Sequence, residues 1–266
     1  MLIESDRSYF VAGAQCRQFR GGAVYWMPGL QHLGAGCIVE PAGSLPPGDF
    51  AEAASEAVAA LGSPLVRFYC AEAPNRGPEW ARAGLLPAVE LALARRPRPF
   101  MRDLTCSIDV RPVMTAADWA MKEQLATSSG RRPDGRVVSA SDWTALERRK
   151  SEAGYAQFYI AELEGVPCAT FGLADCGPLL RLKNLAVHPD FQRRGIARAI
   201  LDFALRHADA HDFAWFGVFA LQDGPSGDLY PSCGFEPICA LTEWARPIAA
   251  PTPVSVAAPS ARVDAC

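Results

Sequence analysis

The chain has 266 residues, half of them apolar, enough to bury a sizeable core and to form two domains of ordinary size. Its 26 Lys and Arg stand against 29 Asp and Glu, a near-neutral balance that gives no electrostatic case for nucleic acid or an anionic membrane as partner. No basic segment followed by an apolar one opens the chain and no apolar run approaches the roughly 18 residues of a membrane span, so a cytoplasmic protein is expected.

In chain order, Cys37–Pro41 reads as a strand, and Phe50, Ala54, Ala57, Val58 and Leu61 recur at helical spacing. A strand at Leu65–Cys70 and a strand-like run over 89–94 follow. Arg95-Arg96-Pro97-Arg98-Pro99 then interrupts the pattern, because two prolines can continue neither a helix nor a sheet. The expected division is 1–100, 101–246 and a Pro/Ala-rich, disordered tail over 247–266.

The second segment alternates elements more regularly. A strand is expected over 104–110, a helix capped by Thr115 to about residue 127, and a helix capped by Ser141 to about residue 153. Strands over 156–163, 166–174 and 179–187 are separated by Glu164-Gly165 and Asp175-Cys176-Gly177-Pro178, the signature of an antiparallel meander. From Ile196, the residues Ile196, Ala199, Ile200, Phe203 and Ala204 form one apolar stripe of a long helix. Strands over 214–220 and 237–246 flank a short helical stretch at 227–232. The sum is an α/β (α+β) fold, a mixed and mostly antiparallel sheet flanked by helices.

The chemistry-bearing segment joins the third meander strand to the long helix: Leu185-Ala186-Val187-His188-Pro189-Asp190-Phe191-Gln192-Arg193-Arg194-Gly195-Ile196-Ala197-Arg198. Gly195 permits a sharp turn and small Ala197 a close approach, so free helix N–H groups and the positive helix end face a diphosphate, with Arg193, Arg194 and Arg198 adding charge. No Gly-Lys-Ser/Thr follows, which separates the loop from a Walker motif.

Gln192-Arg193-Arg194-Gly195-Ile196-Ala197 after Val187-His188-Pro189 resembles motif A of the GNAT acetyltransferases, and 184–198 is especially similar to that of ribosomal-protein alanine acetyltransferases. Leu229-Tyr230-Pro231-Ser232-Cys233-Gly234-Phe235 resembles the family's Leu-Tyr-x-x-x-Gly-Phe block. The resemblance implies acetyl-CoA as cosubstrate, held by Leu185, Ala186, Val187, the loop from Gln192 to Arg198 and Asp223, with Tyr230 as the acid that protonates the departing thiolate. Strand-edge amides at Leu185 and Val187 suit pantetheine and the thioester oxygen. Where the family often places a glutamate base, this chain has Arg181 and Val218, which cannot serve; His188 and Asp223 are weaker candidates.

The first segment repeats this plan in degenerate form. Cys37-Ile38-Val39-Glu40-Pro41 mirrors Leu185 to Pro189, Gly84-Leu85-Leu86-Pro87 mirrors Gly234 to Pro237, and Trp80 stands where Tyr230 stands. Gly43-Ser44-Leu45-Pro46-Pro47-Gly48 replaces the basic loop, and its prolines remove the N–H donors a phosphate needs. A tandem GNAT with a truncated, supporting first copy is expected, in which the first copy is too short for the two leading helices.

The expected reaction moves an acetyl group to a primary amine. Arg181 and Lys183 alternate on one strand face and, with Arg136, are expected to meet an acidic group of the acceptor, making an amino acid or acidic amine preferable to a polyamine. The alternative is that the Arg181 and Lys183 side chains point to solvent or meet acidic residues of the N-terminal half. A peptide N-terminal acetyltransferase and a non-catalytic CoA-binding scaffold are the other readings. A monomer or homodimer is expected, and nine Cys without zinc spacing predict reduced, mostly buried thiols and no metal.

Overall fold

A computed structural model of the chain describes residues 2–33, 36–43, 45–70, 76–100, 106–126, 139–222, 224 and 227–248. Arg131, Arg132, Arg136, Asp223, residues 101–105 and most of the expected tail lie outside the described residues.

The N-terminal part runs α1 (Leu2–Val11), β1 (Gln15–Phe19), β2 (Gly22–Trp26), β3 (Cys37–Pro41), α2 (Pro47–Ala59), β4 (Leu65–Cys70), α3 (Gly77–Arg82) and β5 (Leu86–Arg95). The remainder runs β6 (Asp109–Pro112), α4 (Ala116–Ala126), α5 (Ala140–Glu152), β7 (Gln157–Leu163), β8 (Val166–Cys176), β9 (Leu179–Val187), a 3-10 turn (Pro189–Phe191), α6 (Ile196–Ala210), β10 (Trp215–Leu221), α7 (Leu229–Ser232) and β11 (Glu236–Pro247). β1, β2 and β3 form a small antiparallel sheet, and an eight-stranded sheet follows the order β4-β11-β5-β10-β9-β8-β7-β6. Among the described strands, only β9 and β10 run parallel.

Local chemistry explains most boundaries. Thr115 Oγ1 accepts from the Asp118 N–H at 3.2 Å while Asp118 Oδ2 accepts from the Thr115 N–H at 2.9 Å, a reciprocal cap that starts α4 where expected. The cap of α5 is Ser139 and not Ser141: its hydroxyl accepts from the Asp142 N–H, and Ser141 lies inside the first turn. β5 is longer than the run expected over 89–94, because it finds partners on both edges.

Those partners tie the two halves together. β5 lies between β10 and β11, and β11 lies between β5 and β4. Each half therefore inserts its final strand between two strands of the other. The repeat is carried in detail: Gly84 and Gly234 share a left-handed backbone (φ 79° and 77°), and the N–H groups of Leu85 and Phe235 donate to the carbonyls of Trp80 and Tyr230, both at 3.1 Å. Arg246 at the end of β11 donates to the Ala83 carbonyl behind α3, and Arg95 at the end of β5 donates to the Cys233 carbonyl behind α7. A bulge at Ile238 adds one residue to β11 and so offsets the two arginines by one.

The sheet carries helices on both faces. Ile196, Ile200, Ala204 and Leu205 of α6 bury the expected stripe against Phe171, Leu180, Leu182, Phe216 and Val218. Phe50, Ala54 and Val58 of α2 cover Val66 and Phe68. The opposite face meets α1, which the sequence reading missed, together with α4 and α5. α1 crosses β10 at Gly217, where a Cβ would stand 2.6 Å from Leu2 Cδ2. Of the seven cysteines whose side chains are described, all unpaired, only Cys37, Cys168 and Cys233 are buried, fewer than expected.

The C-terminal end of α1 is capped by a side chain distant in sequence. Lys150 of α5 is fully buried and donates from Nζ to the carbonyls of Phe10, at 3.2 Å, and Ala12. Burial, helped by nearby Lys183, brings its ammonium down to about 8. Lys150→Met is expected to lower the urea midpoint by an amount equivalent to about 1–3 kcal/mol with the m-value unchanged, because the α1 carbonyls lose a charged donor without gaining water.

Candidate active site

β9 and β10 pair only at Trp215–Leu179, Phe216–Leu180 and Gly217–Arg181. Beyond Arg181 and Gly217 the strands diverge, leaving the facing backbone edges without a strand partner. The splay opens a cleft of about 170 Å³ lined by Leu182, Asn184 and Leu185 of β9, by Val218, Phe219, Ala220 and Leu221 of β10, and by Gly224 and Tyr230. Of the site residues expected from sequence, Leu185 and Tyr230 line it.

The loop leaving β9 is wound tightly. Gln192 Nε2 donates to the Val187 carbonyl at 3.1 Å, Arg193 has φ 62°, and Gly195 caps α6 in left-handed conformation at φ 84°. Gly195 offers no side-chain oxygen to the first turn of α6, so the N–H groups of Ile196, Ala197 and Arg198 receive no cap from it. The Arg193 and Arg194 side chains are exposed, and Arg194 lies over the Phe191 ring. Arg198 Nη2 instead donates to Ser232 Oγ at 2.9 Å and ties α6 to the turn that carries Tyr230. His188 accepts weakly from the Asp190 N–H at 3.4 Å and belongs to the turn.

Tyr230 is buried at the cleft, with its ring edge-on to Phe235 at 5.6 Å. Burial pushes its hydroxyl above the usual tyrosine range, so it stays protonated. Cys233 is a packed core thiol. Arg95, from the N-terminal half, anchors the α7 turn through the Cys233 carbonyl.

Asn184 was not among the residues expected in the site. It stands at a bulge in β9 at φ 48°, exposed in the cleft. The sequence signal was a polar, left-handed-tolerant residue inside an otherwise apolar strand. Its Nδ2 donates to Glu147 Oε1, and Glu147 Oε2 pairs with Lys122 Nζ, a 1–2 % exposed ion pair between α5 and α4.

Arg181 and Lys183 share the α1 face, as alternation requires, but the guanidinium of Arg181 is 2 % exposed and pairs with Asp6 of α1. Lys183 Nζ lies 3.6 Å from the same oxygen. Both cations therefore meet an acidic residue of the N-terminal half. Burial alone would raise the Asp6 carboxyl; Arg181 and Lys183 outweigh it and hold the group below the usual range. Burial and then Arg181 bring the Lys183 ammonium down to about 8. Around this cluster, Arg181 Nε and Nη1, Asp6 Oδ2 and the Tyr9 hydroxyl have no partner.

Residues 154–237 match the family model described as an acetyltransferase (GNAT) domain. The matched segment, within the C-terminal half, is a GNAT acetyltransferase domain. GNAT enzymes use acetyl-CoA as the acyl donor. No curated protein sequence matches the chain. Among solved structures, a conserved protein of unknown function from Staphylococcus epidermidis is 13 % identical with a TM-score of 0.66, covering 89 % of this chain and 95 % of its own. A GCN5-related N-acetyltransferase from Kribbella flavida is 14 % identical with a TM-score of 0.65, covering 92 % of this chain and 94 % of its own. A tandem GNAT protein from the clavulanic acid biosynthesis pathway is 14 % identical with a TM-score of 0.56, covering 87 % of this chain and 80 % of its own. These likenesses establish a shared fold over nearly the whole chain.

The buried Lys122–Glu147 pair lends itself to a stability test. Glu147→Leu, which strands a buried ammonium, is expected to cost about 3–5 kcal/mol in chemical denaturation, whereas the double change Lys122→Met/Glu147→Leu recovers most of that loss.

Proposed function

We propose that the β9–β10 splay transfers the acetyl group of acetyl-CoA to a primary amine of a small molecule, preferably an amino acid. The observation that carries this reading is that the uncapped N-terminus of α6 is tied, through the Arg198–Ser232 hydrogen bond, to the turn whose buried Tyr230 lines the cleft. The first-turn N–H groups of α6, with Arg193 and Arg194 beside them, suit a diphosphate. The unpaired edge of β9 at Leu185 suits the pantetheine amides and thioester oxygen.

Acetyl-CoA supplies an activated acyl group. The chain aligns the acceptor nitrogen with the thioester carbon, and as the carbon–sulfur bond breaks Tyr230 gives its proton to the sulfur. The first copy has no comparable donor set: Pro46 caps α2 and Pro47 opens it, so two amides are missing from the corresponding turn. One acetyl-CoA per chain follows.

The preference for an amino acid rests on the polar cluster at the apex of the splay. Arg181, stacked 4.2 Å over Phe219, keeps two nitrogens, Nε and Nη1, without a partner, and Lys183 and the Tyr9 hydroxyl lie beside it. Those donors suit a carboxylate. Asp6 holds the guanidinium in place without neutralising Lys183 as well.

Three outcomes are expected. Tyr230→Phe lowers kcat by about 10²–10⁴-fold while calorimetry gives unchanged acetyl-CoA affinity, since the hydroxyl is needed only as thiolate charge develops. Gly195→Glu abolishes the single calorimetric site by placing a carboxylate at the helix end. A free amino acid is acetylated faster than its methyl ester, and Arg181→Ala narrows that difference; a faster ester with an indifferent variant rejects the carboxylate contact.

A further inference from the structure

Among the described residues that line the β9–β10 cleft, all are apolar except Asn184 and Tyr230. A cleft of that kind orients its ligands through its few polar groups. The Tyr230 hydroxyl is assigned to the departing sulfur, which leaves Asn184 for the nitrogen that attacks.

The fold fixes which end of the Asn184 amide the cleft receives. Glu147 accepts from Asn184 with one carboxylate oxygen and from the Lys122 ammonium with the other. A carboxylate held in an ion pair accepts hydrogen bonds and donates none, so the NH2 end of Asn184 must face Glu147 and Oδ1 is turned away from it. Among the described residues, none donates to Oδ1. The bulge in β9 supplies the placement: at φ 48° it sets Asn184 exposed in the cleft, one residue before the Leu185 edge proposed to hold the thioester.

The acceptor, not the acyl donor, is the ligand that approaches from this side. Glu147 belongs to α5, which packs on the same face of the sheet as α1 and its Asp6–Arg181 pair, whereas α6 with its proposed diphosphate site covers the other face. A pantetheine arm that comes from α6 reaches Asn184 only with its reacting end, where the acceptor nitrogen must stand. The carboxylate that accepts from Nδ2 also polarises the amide and makes Oδ1 a stronger acceptor.

We infer that Asn184, held by the buried Glu147–Lys122 pair, receives one N–H of the attacking amine on Oδ1 and so selects primary over N-alkylated acceptors; this rests on the reaction proposed above. The acceptor ammonium loses one proton to solvent, and the freed electron pair forms the nitrogen–carbon bond. The nitrogen of a primary amine then carries both its hydrogens and a developing positive charge, which strengthens the bond to Oδ1 as the transition state is approached. An amide oxygen is too weak a base to keep a proton. The hydrogen on Oδ1 therefore stays with nitrogen in the product, the other is lost to solvent as the carbon–sulfur bond breaks, and Tyr230 protonates the sulfur and is itself reprotonated. The net products are the amide, the thiol and one proton. An N-methylated acceptor has a single hydrogen at that stage and must lose it, so it cannot keep the contact with Asn184 through to product.

The test compares wild type, Asn184→Gly and Glu147→Gln on the standard amino acid that the wild type acetylates fastest and on its N-methyl derivative. Glycine keeps the left-handed backbone without strain. Asn184→Gly is expected to lower kcat for the primary amine about 10–10²-fold, the worth of one hydrogen bond to a charged group, and to leave the N-methyl rate within about threefold. Calorimetric acetyl-CoA affinity stays at the wild-type value. The ratio of the two rates in one preparation does not depend on how much of it is folded. Glu147→Gln, whose amide lets Asn184 turn either end to the cleft, narrows the ratio in the same direction by a smaller factor. The inference alone is overturned by an active wild type that acetylates both substrates equally, by an Asn184→Gly variant that slows both by one factor or loses acetyl-CoA affinity instead, or by a Glu147→Gln variant with an unchanged ratio. A wild type that acetylates no amine removes the proposed reaction and this inference together.

Discussion

Everything at the active site depends on the exchange of terminal strands. Because β5 fills the edge of β10, the side of β10 facing β9 can remain unpaired over Val218–Leu221 while the other side stays hydrogen-bonded. A splay in the middle of a sheet is costly unless the diverging strands are held elsewhere, since open backbone edges lose ladder hydrogen bonds. Here β10 is held by β5, β9 is held by β8, and the cleft is left between two anchored edges. The same exchange lets Arg95 brace the turn that carries Tyr230.

The other face balances a dense set of buried charges. Asp6, Lys122, Glu147, Lys150, Arg181 and Lys183 are all at most 6 % exposed, and such groups are tolerated only with partners. Most partners cross between elements far apart in sequence: α1 to β9, α5 to α4, α5 to the end of α1. Replacement by apolar residues could stabilise such a face, so the charges are better understood as fixing one geometry at the apex of the cleft than as a source of net stability.

The sequence disclosed the parts of this arrangement that local chemistry dictates. The meander, the stripe of α6, the Gly195 loop and the Tyr230 turn each depend on short-range spacing, and the repeat was legible because Gly84 and Gly234 need the same left-handed backbone. What stayed hidden is long-range. α1 has little periodic signal and takes its place from Asp6, Leu2 and the cap supplied by Lys150. Arg181 could be assigned a face by alternation but not a partner, because Asp6 lies far upstream. Glu147 carries no motif, and the motif that begins at Asn184 says nothing of its partner; only the folded chain shows that a helix carboxylate meets a strand bulge.

The position of β11 also governs how the protein comes into being. It comes last in chain order among the described strands, and until it emerges β4 has no described partner in the large sheet and β5 lacks one of its two neighbours. A nascent chain therefore carries an unfilled slot with bare hydrogen-bonding edges on both sides, a form prone to wrong pairing with other chains. Folding cannot proceed one repeat at a time, from the N-terminus onward, as it does for duplicated domains that merely sit side by side. The sheet closes once, after synthesis of both copies, in a step that joins segments distant in sequence and is correspondingly slow.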